Sequence, residues 1–168
     1  MKKEVKDQTI DFFLNDLSSK NPAPGGGSVS ALAGALSASL VCMVCNVTIG
    51  KKGYEEQSDE LKQLLLKAKY FRRRFLQLAE DDKNAFLEVV KSKNSVEGLK
   101  KAIFVPSEVA RLADDLLALT KKVEKIGNKN ANSDARIAMD LVRVAFKGAT
   151  LNVLANLQLT DIDLKKEI

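Results

Sequence analysis

Residues 29–49 form a stretch without any charged side chain, and about 20 apolar residues are enough for a helix to cross a bilayer. Such a stretch folds either as a membrane span or as the central helix of a bundle. Its polar side chains are Ser30, Ser37, Ser39, Asn46 and Thr48, and much of the remainder is Ala, Gly or Cys. This composition favours a helix buried among other helices, and acidic residues in the preceding segment argue against a signal peptide. We therefore expect no association with a membrane.

The rest of the chain predicts helices, because apolar residues recur at three- and four-residue spacing almost throughout. The 168 residues are 45% hydrophobic and 29% charged, which suits one domain with a substantial core and excludes a disordered chain. We predict an all-α fold, with a single domain over residues 1–168 built from about five helices that include long central ones.

Small residues form a seam along the second predicted helix. Its members are Ser28, Ala31, Ala35, Ala38, Cys42 and Cys45. Small side chains let two helix backbones approach closely, either within one chain or between two copies. We predict a homodimer with this seam buried between the subunits, and packing against a helix of the same chain is the alternative.

The sequence has no His and two Cys, which limits the kinds of catalytic and metal site that the chain can form. One chain therefore cannot supply a four-ligand zinc site of Cys and His, or a Ser-His or Cys-His nucleophile pair. Cys42 and Cys45 lie in the apolar stretch, which indicates reduced and packed thiols, while their spacing also allows a redox-active pair. We predict a cytoplasmic protein that uses no metal and no redox cofactor.

A formal net charge of +5 suits an anionic ligand. The basic clusters are Lys51 with Lys52, Arg72 with Arg73 and Arg74, and Lys121 with Lys122. Consecutive basic residues spread around a helix, which is typical of a solvated surface. We expect no nucleic-acid binding, and the alternative is a non-catalytic helical module that binds nucleic acid or an acidic partner.

Asp82 occupies the apolar stripe of a long predicted helix. The other positions of that stripe are Leu64, Ala68, Phe71, Phe75, Leu78, Ala85 and Val89. A buried carboxylate costs several kcal/mol unless it is paired or lines a polar cavity. Burial would also raise the pKa of Asp82 above the ordinary value of about 3.9, toward the range useful for acid-base catalysis. The alternative is a structural Asp that a neighbouring group neutralises.

A glycine-rich turn, Pro24-Gly25-Gly26-Gly27-Ser28, precedes the second predicted helix. Backbone N–H groups at a helix start suit an anion or a polar heterocycle, and we expect Ser28 to cap the helix. The spacing fits neither a Rossmann fingerprint nor a P-loop, so a tight structural turn is the alternative.

Other positions predict helix boundaries or polar contacts. Pro106 is expected to kink or restart its helix, and Ser133 is expected to cap the last one. Asn152 and Asn156 share a helix face, where they could contact a ligand or bond to a neighbouring helix.

Several segments in order resemble the cyclodeaminase domain of the formiminotransferase-cyclodeaminase family, which includes stand-alone methenyltetrahydrofolate cyclohydrolases. They are Pro24-Gly25-Gly26-Gly27-Ser28, Thr48-Ile49-Gly50-Lys51, Asp82 with Ala85-Phe86, Val105-Pro106, Gly127-Asn128, Ser133-Asp134, and Asn152-Val153 with Asn156-Leu157. The resemblance implies a methenyltetrahydrofolate cyclohydrolase-like all-helical fold that forms dimers. It also implies that Asp82 is the acid-base residue. The implied substrate cleft contains Gly25, Gly26, Gly27, Ser28, Lys51, Asn128 and Asp134.

The implied reaction acts on a folate-bound one-carbon unit. N10 of 5-formiminotetrahydrofolate attacks the formimino carbon, ammonia leaves, and the 5,10-methenyl bridge forms. A cyclohydrolase instead opens the same bridge with water, and the residues alone do not separate the two reactions. The substrate would be a folate, with or without a polyglutamate tail, and no cofactor would be needed.

Overall fold

The computed structural model describes residues 3–92 and 95–158, which contain five α-helices and no strand. The helices are α1 (Ile10–Leu17), α2 (Gly26–Asn46), α3 (Ser58–Lys91), α4 (Val96–Ile126) and α5 (Asn132–Gln158). The prediction of an all-α fold with about five helices is therefore confirmed. The two ends of the predicted domain, at residues 1 and 168, lie outside the described residues.

Helices α2 to α5 form an antiparallel bundle. Helix α2 packs against α3 and α5, and α4 packs against the same two helices from the other side. Helices α2 and α3 are antiparallel. Ser28 of α2 bonds to Asp82, whereas Gly34, later in α2, lies against Phe75, which comes earlier in α3. The first turn of α2 therefore lies beside the second half of α3, at one end of the bundle.

Helix α2 is the central helix that the uncharged stretch predicted. By length and composition it could cross a membrane, but 67% of its most apolar window is buried inside the bundle. Small side chains on the helix surface allow this burial from several directions, since neighbouring backbones can come close without large side chains between them.

The small-residue seam of α2 packs inside the chain. Ala31 and Ala38 are completely buried, and both belong to one core cluster with Phe75 of α3. The ring of Phe75 lies over Gly34, where a Cβ atom would come within 2.6 Å of it. The prediction that this seam joins two subunits is therefore wrong, because the space left by its small residues is filled by α3 of the same chain.

Two helix boundaries differ from the predictions, and of the two outcomes expected at Pro106 the restart does not occur. Helix α2 begins at Gly26 with Gly25 in the cap position, so Ser28 lies inside the first turn and does not cap it. Helix α5 begins at Asn132, because the short 3-10 turn Lys129–Ala131 leads directly into it and already places Ser133 in the helix. Helix α4 continues through Pro106 without restarting.

Both cysteines are buried in the core. Burial raises the pKa of the Cys42 thiol, and burial raises the pKa of Cys45 to about 12. A thiol must ionise to act as a nucleophile or redox group, so neither side chain is activated at neutral pH. The structure therefore favours packed thiols over a redox-active pair.

A buried ion pair on α3 was not predicted from the sequence. Lys83 Nζ lies 3.1 Å from Glu80 Oε1, and the backbone N–H of Val5 donates to Glu80 Oε2 at 2.8 Å. The N-terminal segment thus covers this side of α3 and supplies the donor that a buried carboxylate requires.

We predict that Gly34→Ala destabilises the fold. A Gly→Ala change inside a helix normally stabilises by roughly 0.5–1 kcal/mol, but here the added methyl group overlaps the Phe75 ring. Overpacking should lower the free energy of unfolding by roughly 1–3 kcal/mol, measured by urea denaturation. A more stable variant would contradict this close contact between α2 and α3.

Candidate active site

A cavity of about 310 Å³ lies at the end of the bundle where α2 begins. The loop before α2 and the helices α2, α3, α4 and α5 all contribute to its wall. The lining residues that bear on its chemistry are Gly26, Asp82, Phe86, Ala102, Asn152 and Asn156. The predicted acid-base residue and the predicted glycine turn are therefore brought together.

Asp82 is the one ionisable residue among the described residues that line the cavity. The hydroxyl hydrogen of Ser28 is shared between Asp82 Oδ2 at 2.9 Å and the Ala79 carbonyl oxygen at 3.0 Å. Burial raises the pKa of Asp82 and outweighs the Ser28 hydroxyl and backbone N–H, which favour the ionised form. The result is a carboxyl group that takes up a proton more readily than an exposed Asp, as its position on the apolar stripe predicted.

Gly27 permits the contact between α2 and the Asp82 carboxylate, since a Cβ atom at this position would overlap that group. A Cβ atom at Gly26 would instead meet Asn152 Nδ2 at 3.6 Å, an ordinary contact distance. The first turn of α2 also directs the positive end of its helix dipole toward this end of the bundle. The glycine run therefore has a steric role beside Asp82 as well as an electrostatic one.

Asn152 and Asn156 line the cavity and also bond to helix backbones, Asn152 within α5 and Asn156 across to α4. The expected bond to a neighbouring helix is therefore confirmed for Asn156, and contact with a ligand stays a prediction. Asn152 Nδ2 donates to the Gly148 carbonyl at 2.8 Å, and Asn156 Nδ2 donates to the Ala102 carbonyl at 2.6 Å. A carbonyl oxygen can only accept, so the amide nitrogens must face these partners. Within the described residues no donor reaches either Oδ1 atom, and both remain available as acceptors.

Lys51, Asn128 and Asp134 do not reach this cavity. Lys51 and Asn128 lie just beyond the C-terminal end of α2, and Asp134 is in the first turn of α5, near the same end. Helix α2 has 21 residues and is therefore about 30 Å long. Asn128 has a structural role there: its N–H donates to Thr48 Oγ1 at 2.9 Å, and its Nδ2 donates to the Val47 carbonyl at 3.3 Å. Within one chain these three residues do not line the cleft of Asp82, because order along the sequence does not fix distance in an antiparallel bundle. Their role in binding a substrate stays a prediction.

In residues 3–92 and 95–158, no three His, Cys, Asp or Glu side chains lie close enough together to bind a metal ion.

The formiminotransferase-cyclodeaminase family model matches residues 9–168, which is almost the whole chain. The chain belongs to this family. Within the family, it is 38% identical to the methenyltetrahydrofolate cyclohydrolase of Methylorubrum extorquens, over 89% of this chain and 79% of that protein. It is 29% identical to mouse formimidoyltransferase-cyclodeaminase, but the chain spans only 32% of that protein's length.

A solved structure supports the same family fold. The crystal structure of formiminotetrahydrofolate cyclodeaminase from Thermotoga maritima matches with a TM-score of 0.90 and 34% sequence identity. The match covers 98% of this chain and 86% of the other. The fold expected from the resemblance is therefore confirmed.

We predict that Gly27→Ala and Gly26→Ala differ in their effect on stability. The methyl group at position 27 must displace the Asp82 carboxyl, whereas the one at position 26 reaches only contact distance of Asn152. Gly27→Ala should lower the free energy of unfolding by roughly 1–3 kcal/mol, while Gly26→Ala should change it little. Thermal and urea denaturation of the two variants measure this difference, and equal effects would contradict it.

Proposed function

We propose that this chain converts 5-formiminotetrahydrofolate to 5,10-methenyltetrahydrofolate with release of ammonia. The observation that carries the proposal is a carboxyl group of raised pKa, Asp82, in a cavity beside a helix N-terminus of a formiminotransferase-cyclodeaminase family member. The names of the relatives support a folate substrate, and the site supports acid-base chemistry.

Asp82 can serve each step of that reaction. Its carboxylate accepts the proton from N10 as N10 attacks the formimino carbon, and the resulting acid protonates the departing nitrogen. After ammonia leaves, the carboxylate stabilises the positive charge shared by N5, the bridging carbon and N10. A raised pKa brings Asp82 closer to the neutral range, where one group can both accept and donate a proton, and this route needs no cofactor.

The cavity matches the head of a folate in size and polarity. Its volume of about 310 Å³ is at the lower end of the range of about 300–1,000 Å³ for ligand pockets. Phe86 and Ala102 supply apolar wall for a flat ring, while Asn152 and Asn156 supply acceptors for its N–H groups. The remainder of the substrate, including any glutamate tail, would lie outside, where the net charge of +5 attracts it.

A second candidate function is methenyltetrahydrofolate cyclohydrolase. The relative from Methylorubrum extorquens carries that name and is 38% identical, and this chain covers 79% of its length. In this reaction Asp82 would remove a proton from the water that attacks the methenyl carbon. Both activities use one site, so they are assayed together.

We predict that Asp82→Asn abolishes most of the turnover. The amide keeps the shape of the side chain and can still accept from Ser28, but it cannot exchange a proton, so the rate should fall by roughly 10²–10⁴. Ammonia release from 5-formiminotetrahydrofolate and the absorbance of methenyltetrahydrofolate measure the two candidate reactions. The matched control is Asp81→Asn, which alters the neighbouring ion pair with Arg74 and should retain full activity.

The pH dependence follows from the raised pKa of Asp82. As a general base Asp82 must be ionised, so the wild-type rate should fall as the pH is lowered through that pKa, and Asp82→Asn should lack this limb.

The folded pKa lies above the unfolded value of about 3.9, so ionised Asp82 costs stability at higher pH. The gain in stability of Asp82→Asn should be absent below about pH 4 and should grow as the pH rises toward the folded pKa. Full activity in a folded Asp82→Asn protein would overturn the mechanism.

We also propose a homodimer that uses the outward side of α2 in place of the seam. Apolar side chains follow this side along the helix: Val29, Leu32, Leu36, Leu40, Met43 and Val47. Leu36 is 58% exposed and Val47 is 44% exposed, which is unusual on the central helix of a bundle. Two α2 helices crossing antiparallel would place Lys51 of one copy near the Asp82 cavity of the other. A second copy therefore explains both the apolar face and the distant family motifs.

We predict that Leu36→Glu gives a monomer, because the carboxylate would be buried in that contact. Analytical ultracentrifugation measures the mass, and the control is Phe104→Glu, which changes a 61% exposed side chain on α4.

If the two copies share a site, mixing inactive Asp82→Asn with Lys51→Ala should restore activity through hybrid dimers. A wild-type monomer with full activity would contradict the proposal.

A further inference from the structure

Pro106 lies inside α4, where its missing N–H leaves one helix carbonyl without the usual donor. That carbonyl belongs to Ala102, four residues earlier, and Ala102 lines the cavity. The next carbonyl, that of Ile103, accepts from the Ser107 hydroxyl at 2.8 Å. The helix continues through the proline, and a side chain donates to each of these two carbonyls.

Asn156 of α5 supplies the donor for Ala102. Its Nδ2 lies 2.6 Å from the Ala102 carbonyl oxygen, across the interface between α5 and α4. This bond fixes the rotation of the carboxamide, because only the nitrogen can face a carbonyl. Asn156 also lines the cavity, and its Oδ1 accepts from no donor in the described part of the chain.

We propose that Pro106 is a positioning residue that acts through Asn156, so that Asn156 Oδ1 accepts a hydrogen bond from an N–H group of the substrate's pteridine ring. The inference rests on the proposed function for the identity of that ring. An N–H at position 106 would compete for the Ala102 carbonyl and release the Asn156 amide. Proline prevents this competition and keeps the acceptor in one orientation before the substrate arrives.

The chemistry of the ring fits such an acceptor. A reduced pteridine carries N–H donors at its 2-amino group, at N3 and at N8, whereas the acceptors on this wall are the carboxamide oxygens of Asn152 and Asn156. Because the amide nitrogen is bonded to a backbone carbonyl, the amide oxygen faces the ligand in a fixed orientation. It can pair with an N–H group of the ring but not with a ring acceptor, because two facing acceptors would both stay unpaired.

Binding of 5-formyltetrahydrofolate tests the proposal. This compound has a formyl oxygen in place of the formimino nitrogen, so it can bind without releasing ammonia. By calorimetry, Asn156→Ala should weaken binding by roughly 10- to 100-fold, and Pro106→Ala should weaken it in the same direction by less. Circular dichroism checks that each variant is folded. The matched control is Ser107→Ala, which removes the neighbouring hydroxyl–carbonyl bond and should leave binding unchanged.

The double variant separates coupling from a general loss of structure. If proline acts through Asn156, adding Pro106→Ala to Asn156→Ala should weaken binding no further. The ¹⁵N NMR signal of the Asn156 side-chain amide should shift in Pro106→Ala without any ligand. Binding equal to wild type in Pro106→Ala, or additive losses in the double variant, would overturn the inference alone. A wild-type protein that neither binds nor converts any folate would overturn the proposed function, and the inference with it.

Discussion

The close approach of α2 to α3 determines both the core and the cavity. Glycine and alanine on the α3-facing side of α2 leave no room for further atoms, as the overlaps at Gly27 and Gly34 indicate. At Gly34 the space is filled by the ring of Phe75, and at Gly27 it is filled by the carboxyl group of Asp82. One interface therefore buries an aromatic ring in its middle and a carboxylic acid at its end, so packing and chemistry depend on the same backbone spacing.

Each polar side chain that lines the cavity also bonds to another group of the fold. Asp82 accepts from Ser28, and the carboxamides of Asn152 and Asn156 are held by backbone carbonyls. Side chains fixed in this way need little reordering when a ligand binds, which reduces the entropic cost of binding. The site thus combines a proton carrier on α3 with oriented acceptors on α5.

Local patterns predicted the helices, the central position of α2 and the half-buried Asp82, because helical periodicity and burial are properties of neighbouring residues. They did not identify the partner of the small-residue seam, since small residues indicate a close approach without naming the other helix. The buried Glu80 was missed because its donor, Val5, lies 75 residues away in sequence. Lys51 lies far from the cavity of its own chain for a similar reason: a shared family motif does not give the distance between two ends of a helix.

The ion pair between Glu80 and Lys83 has a consequence for how ionic strength acts on this protein. Glu80 is two positions from Asp82, but the charge of Glu80 is paired with that of Lys83. The pKa of Asp82 is instead set by burial and by its hydrogen bonds to Ser28. These influences are short-range, and added salt screens them little, whereas it screens attraction between an anionic tail and a basic surface. Salt should therefore slow the encounter with a charged folate while the acidity of Asp82 stays constant, so that capture and chemistry respond separately to the medium.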